Sequence, residues 1–120
     1  MDKKILLVDD AAFMRMMIKD ALTKNGYTNI IEAADGEIAC NTYANEKPDL
    51  VIMDITMPNK TGIEALRDIK AMDPSAKVVM CSAMGQESMV VEAIKLGALD
   101  FIVKPFKPDR ILQTVQKVLG

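Results

Sequence analysis

Two short apolar runs, each ending on acid, constrain this chain more than any other feature. Ile5-Leu6-Leu7-Val8 leads straight into Asp9-Asp10, and Leu50-Val51-Ile52-Met53 leads into Asp54. Continuous apolar runs without polar alternation read as strands covered on both faces, as in a parallel sheet between two layers of helix. In an open sheet of that kind the functional crevice lies outside the carboxyl ends of the strands. Two such strands deliver three carboxylates, Asp9, Asp10 and Asp54, to one edge. Like charges held that close repel unless a cation joins them or one takes up a proton.

The rest of the chain supplies the other layers. Apolar residues at Phe13, Met14, Met17, Ile18, Ala21 and Leu22 form a helical stripe, with Arg15, Lys19, Asp20 and Lys24 opposite. Asn25-Gly26 gives a left-handed stop. A weaker second strand is expected over residues 28–33, then a helix from Asp35-Gly36 to about Asn45, broken by Lys47-Pro48-Asp49. After the strand at Leu50–Asp54 comes a loop over residues 55–62, then a helix with Ile63, Leu66 and Ile69 inward, stopped by Asp73-Pro74. Residues 77–82 read as a fourth strand and residues 87–96 as a helix closed by Gly97. Asp100–Lys104 is a fifth strand with Pro105 directly after it, and Ile111, Leu112, Val115, Val118 and Leu119 mark a last helix. Strand and helix alternate five times, which predicts an α/β fold: a doubly wound, five-stranded parallel sheet of flavodoxin-like order 2-1-3-4-5 with five helices. That order sets the first and third strands side by side, and the acid cluster depends on it.

Bulk properties narrow the class. Residues 1–120 are expected to form a single domain, with no output domain beside it. Fifteen basic against 17 acidic residues, a net charge of −2, argue against a nucleic-acid-binding face. No apolar run approaches the roughly 18 residues of a membrane span. The Ile5–Val8 run is also shorter than the ~7–15-residue core of a signal peptide, so cytoplasmic residence is expected. Cys40 and Cys81 match no metal spacing and read as small buried apolar residues. The chain has no histidine, which excludes histidine acid–base chemistry and histidine ligation of a metal.

The strand ends together carry Asp9, Asp10, Asp54, Ser82 and Lys104. This is an inventory for a hard divalent cation and a phosphoryl group. Mg²⁺ prefers oxygen ligands and often takes only one or two carboxylates together with phosphate oxygens. Lys104 offers an ammonium and Ser82 a hydroxyl, both suited to phosphoryl oxygens. Asp54 as nucleophile forms an aspartyl phosphate, and the added charge can bias a two-state element. Each residue also has a plainer reading. Asp9-Asp10 can cap the first helix, Asp54 and Ser82 can be turn residues, and Lys104 a solvated surface lysine. The coincidence outweighs these readings, because four strands end at one edge in groups that belong to one reaction.

The chain resembles the receiver domains of bacterial two-component response regulators. The resemblance rests on Leu7-Val8-Asp9-Asp10, on Met53-Asp54 with Met57-Pro58 and Gly62, and on Ser82-Ala83, Gly97-Ala98 and Lys104-Pro105-Phe106. It runs from Lys3 to Leu119. It implies that Asp54 accepts phosphate from a histidine kinase. It further implies that Asp10, Asp54 and the backbone carbonyl of Thr56 hold Mg²⁺ directly, with Asp9 acting through water. Ser82 would swing toward the phosphoryl group, Lys104 would bond it, the Ala83 amide would hold another oxygen, and the Lys104–Pro105 bond would be cis. Thr56 and Met84 stand where the family tunes phosphoryl lifetime, and neither is an acid or an amide. Phe101 stands at a switch position where well-studied chemotaxis receivers carry tyrosine.

Within the family, the run from Met84 to Val91, the Lys104-Pro105-Phe106-Lys107 segment and the methionine-rich Ala11-Ala12-Phe13-Met14-Arg15-Met16-Met17 resemble stand-alone chemotaxis regulators of the CheY type. That implies a phosphoacceptor that catalyses its own phosphorylation and dephosphorylation, not an enzyme with a separate substrate. The implied partners are a chemotaxis-type histidine kinase, a flagellar motor switch protein and a dedicated phosphatase, with the chain a monomer. Of the ten methionines, Met14, Met17, Met53 and Met80 read as core. Met16 and Met89 are better placed for contact with a partner, Met89 alongside Phe101 and Lys107.

Three other readings compete. A single-domain phosphorelay intermediate would pass its phosphate on to a histidine phosphotransfer protein. A flavin mononucleotide-binding flavodoxin shares the strand order, but needs a Gly-, Ser- and Thr-rich phosphate loop where this chain has Asp9-Asp10-Ala11-Ala12. An aspartyl-phosphate hydrolase of the haloacid-dehalogenase type needs a second acid two residues after the nucleophile, where Thr56 stands.

Overall fold

The computed structural model describes residues 3–83 and 85–120. Over those residues strand and helix alternate: β1 (Ile5–Val8), α1 (Ala12–Lys24), β2 (Ile30–Ala33), α2 (Gly36–Glu46), β3 (Leu50–Asp54), α3 (Gly62–Met72), β4 (Val78–Ala83), α4 (Glu87–Lys95), β5 (Asp100–Lys104) and α5 (Pro108–Leu119). The strands form one parallel sheet in the order β2-β1-β3-β4-β5, the order expected from the pattern of elements. β1 and β3 are buried along their whole length, and this is why their sequences are apolar without alternation. The edge strands β2 and β5 carry mixed burial.

Successive strand residues face opposite sides of a sheet, and here that divides the core in two. Leu6, Val8, Val51 and Met53 pack with Ala39, Tyr43, Leu66, Ile69 and Ala93, from α2, α3 and α4. Ile5, Leu7, Leu50 and Ile52 pack with Ile18, Leu22, Ile111 and Val115, from α1 and α5. None of the described helices is long and apolar enough to cross a membrane.

Several boundaries shift by a residue or two. β2 starts at Ile30, β4 runs one residue past Ser82, and α2 reaches Glu46. Some burial expectations are overturned. Phe13 does not join the inward face of α1, since it is 64% exposed, and Met14 and Met17 are only partly covered. The stripe begins in earnest at Ile18, followed by Ala21 and Leu22. The chain reverses between Val8 and Ala12, so the first turn of α1 sits level with the strand ends, beyond the sheet that would cover it. The expectation that both cysteines are buried holds only for Cys81, whose thiol burial pushes up to about 12. Cys40 is half-buried, with its thiol directed at the Ala65 carbonyl. Met53 and Met80 are core, while Met16 and Met89 are exposed.

Helix caps hold the loops near the strand ends. Thr61 and Glu64 close a reciprocal capping box at the start of α3. Asp35 caps α2 by accepting the Ile38 N–H at 2.8 Å, and its other oxygen accepts from the Asn59 side chain at 2.9 Å. These bonds favour the ionised form, and the Ile38 bond contributes most to holding the carboxyl below its ordinary value of 3.8. A depressed acid contributes stability that is full above the unfolded value and lost as pH falls through the folded one. Asp35→Ala is therefore expected to lower the urea midpoint at neutral pH. The gap to the parent should narrow as pH falls below 3.8, and a gap independent of pH would refute the role of the charge.

Candidate functional site

The register that pairs Val8 with Met53 brings the next residues, Asp9 and Asp54, to the same level at the carboxyl edge. Both lie on the α1–α5 side, sharing the parity of Ile5, Leu7, Leu50 and Ile52. Lys104 ends β5 on the same side, and the pairing of Ala83 with Lys104 fixes its height. Asp9 and Asp54 are buried, and Asp10 is exposed at the rim. One carboxylate oxygen from each of Asp9, Asp10 and Asp54 lies within 4.8 Å of the others, an arrangement that could hold a metal ion. At that separation each like-charged pair repels by about 3 kcal/mol at an effective dielectric near 20.

Among the described residues, one cation forms ion pairs with this acid cluster. Lys104 Nζ lies 2.9 Å from Asp9 Oδ2 and 3.2 Å from Asp54 Oδ2. Three negative charges against one positive leave two unbalanced, the charge of one divalent cation. Burial is the main reason the Asp54 carboxyl is held above its ordinary value; Asp9 adds to the shift and Lys104 opposes it. Lys104 responds in the complementary way. Burial alone would pull it down, but its bond to Asp9 and the charges of Asp54 and Asp9 hold the ammonium above its usual value. The acids that hold the Lys104 ammonium up form an oxygen-rich cluster, which suits a hard cation with oxygen ligands.

Local structure explains why Asp9 is held so firmly. Its Oδ1 accepts the Ala11 N–H at 2.9 Å in the turn before α1, alongside its bond to Lys104; the plainer reading of Asp9-Asp10 as the helix cap is not met, because the capping residue is Ala11 and no side chain bonds there. Arg15 donates to the Asp9 backbone carbonyl and, at 3.0 Å, to Glu32 of β2. The sequence reading placed Arg15 on the solvent face of α1 and missed this clamp, because an arginine in a helix carries no local sign of reaching over the sheet edge.

Asp54 is held by a close approach. Gly62 donates its N–H to the Ile55 carbonyl at 2.7 Å, which closes the loop between β3 and α3. A Cβ at Gly62 would lie 2.1 Å from the Asp54 carbonyl oxygen.

Ser82 is buried at the end of β4, on the opposite parity from the acids, and the exposed Ala83 follows it. The Lys104–Pro105 peptide is cis. Phe101, 37% exposed, stands with Ser82, Gln86, Val90, Ile94 and Val103 around an apolar groove between α4 and β5. Met89 and Lys107 are exposed nearby on α4 and just before α5. Met84 lies outside the described residues. Gln86 enters the site unforeseen: its carboxamide accepts the Ala83 N–H at 2.6 Å and donates to Thr56 Oγ1 at 2.7 Å.

The family model for the response regulator receiver domain matches residues 5–116, and this chain belongs to that family. Its relatives narrow the resemblance. The chain is 58% identical over 120 residues to the chemotaxis protein CheY of Bacillus subtilis (strain 168), covering 100% of each sequence. It is 57% identical over 118 residues to the chemotaxis protein CheY of Thermotoga maritima, covering 98% of each. Among solved structures, the receiver domain of NtrX from Brucella abortus aligns with a TM-score of 0.91 at 35% identity, covering 97% of this chain and 98% of that one.

Proposed function

We propose that this chain is the phosphoacceptor of a two-component system, modified on Asp54 by a histidine kinase, and that it signals by binding another protein in chemotaxis. The observation that carries the reading is the convergence of Asp9, Asp54 and Lys104 within direct ion-pair distance at the sheet edge, with Asp10 completing the acid cluster. One Asp54 carboxylate oxygen attacks phosphorus. The bond from phosphorus to the donor histidine nitrogen breaks, its electron pair stays on that nitrogen, and the product is an acyl phosphate.

The donor set fits magnesium. Asp10, Asp54 and the Thr56 carbonyl would hold it directly, and Asp9 through water. Magnesium, when bound, offsets charge on the transferring phosphoryl oxygens. Lys104, already beside Asp54 Oδ2, follows the new phosphoryl oxygen without crossing the site. The Ser82 hydroxyl turns toward the same group, and the Ala83 N–H donates to a further oxygen. Withdrawal of Ser82 from its buried position opens room behind it, and Phe101 is the ring at that end of the groove able to respond. Met89, Phe101 and Lys107 then form the partner surface, offered to a flagellar motor switch protein, with a chemotaxis-type kinase and a dedicated phosphatase as the other partners. The same site catalyses gain and loss of its own phosphoryl group, which makes the chain a cytoplasmic signal carrier and not an enzyme with a separate substrate.

Incubation with acetyl phosphate and Mg²⁺ tests the reading by intact mass. One phosphoryl group per chain is expected, none in EDTA, and peptide mapping should place it on Asp54. A chain that gains no mass with Mg²⁺, or gains it at another residue, would remove the assignment.

A further inference from the structure

Gln86 immediately precedes α4 (Glu87–Lys95), in the capping position, yet its side chain makes no cap bond to that helix. It reaches back to the site instead. Oε1 accepts from Ala83 N at 2.6 Å, Nε2 donates to Thr56 Oγ1 at 2.7 Å, and Nε2 also lies 3.9 Å from Met89 Sδ. Both ends of one carboxamide are thus used, across two loops. Thr56 lies two residues past Asp54, and Ala83 follows Ser82 opposite Lys104 in the sheet register. Meanwhile the Gln86 carbonyl accepts the Met89 and Val90 N–H groups at 3.0 Å each, so the same residue begins the first turn of α4.

A backbone amide is a single donor. It cannot give a full bond to a glutamine carbonyl and to a phosphoryl oxygen at once, and a charged acceptor forms the stronger bond. We propose that Gln86 is a positioning residue that latches the unmodified site by occupying the Ala83 N–H, so that a phosphoryl group on Asp54 must displace it and thereby release the start of α4. The proposal rests on Asp54 being the phosphoacceptor. The Ala83–Gln86 bond exists only in the unmodified state, so it favours that state by its own net worth.

Beryllofluoride with Mg²⁺ is the probe, since it supplies phosphoryl-like acceptor atoms without chemistry. Gln86→Leu keeps the side-chain bulk and removes both hydrogen-bonding ends. At saturating Mg²⁺ it is expected to bind beryllofluoride roughly three- to tenfold more tightly than the parent, the range of one net hydrogen bond. Gln86→Glu keeps the acceptor and adds charge facing the fluorides, and is expected to bind more weakly than the parent. Equal or weaker beryllofluoride binding by Gln86→Leu overturns the latch. If beryllofluoride fails to bind even the parent in Mg²⁺, the phosphoacceptor reading falls, and the resting contact is then judged separately by hydrogen exchange. The Ala83 amide should exchange faster in Gln86→Leu than in the parent, with no analogue present, and unchanged exchange overturns the latch whatever beryllofluoride does.

Discussion

Alanine at position 62 is expected to destabilise the protein by about 3 kcal/mol or more, the upper end of what a forced overpacking does. The new Cβ would sit 2.1 Å from the Asp54 carbonyl oxygen and 2.8 Å from the Ile55 Cα. Neither neighbour is a flexible side-chain tip that can swing aside. Both are backbone, at the point where β3 turns into its loop. Either α3 must lift away from the sheet or the end of β3 must move, and both moves break the Gly62–Ile55 bond. Because Asp54 is the last residue of β3, the damage falls on the acid cluster as well. Urea denaturation reads the first effect and Mg²⁺ titration the second, with weaker Mg²⁺ affinity expected in whatever fraction remains folded. A variant within about 1 kcal/mol of the parent, smaller than the least overpacking usually does, would show that the loop can yield and that this contact is not what holds Asp54.

Asp54→Asn should lose phosphoryl incorporation completely and yet make the metal-free protein harder to unfold. The amide keeps the shape of the side chain but cannot attack phosphorus as a carboxylate does. It also removes a buried charge that the site disfavours. The sign of the stability effect follows from the raised carboxyl of Asp54, for which burial is the first cause and Asp9 a further one. A raised acid binds more protons folded than unfolded, so its ionisation withdraws stability as pH rises from the ordinary 3.8 through the folded value. In EDTA, the advantage of asparagine should therefore be small in acid and full at neutral pH. With saturating Mg²⁺ the order should reverse, because a ligand that binds the folded parent more tightly than the folded variant stabilises the parent more by mass action. Denaturation curves at two pH values, with and without Mg²⁺, separate these effects. An asparagine variant less stable than the parent in EDTA at neutral pH would mean that Lys104 outweighs burial at this position.

The strand-end residues were legible because they coincide with abrupt changes of pattern. Asp9, Asp54 and Lys104 each stand where an apolar strand stops, and strand order alone then decides that they meet. Phe13 was misplaced for a related reason: helical periodicity shows which residues share a face, but not where the sheet beneath that face runs out. Arg15 and Gln86 escaped notice because their partners are reached by long side chains crossing from one loop or helix to another. Nothing in the spacing of Gln86 from Thr56, thirty residues away, marks the pair. Cys40 shows the same limit for burial, since an apolar side chain half covered by α3 has the same sequence signature as one wholly covered.

The division of the interior into two packed layers carries a consequence for how news of a modification spreads. Asp9, Asp54 and Lys104 belong to the α1–α5 half, whereas Ser82 and the groove beside α4 belong to the other. The sheet between them is a wall with buried side chains packed on both faces. On the function proposed above, a change at Asp54 reaches the α4 side round the end of the wall, by way of Ser82, Ala83 and the loop that follows. Substitutions deep in either half should weaken the wall itself, while those at its open end should alter what is transmitted.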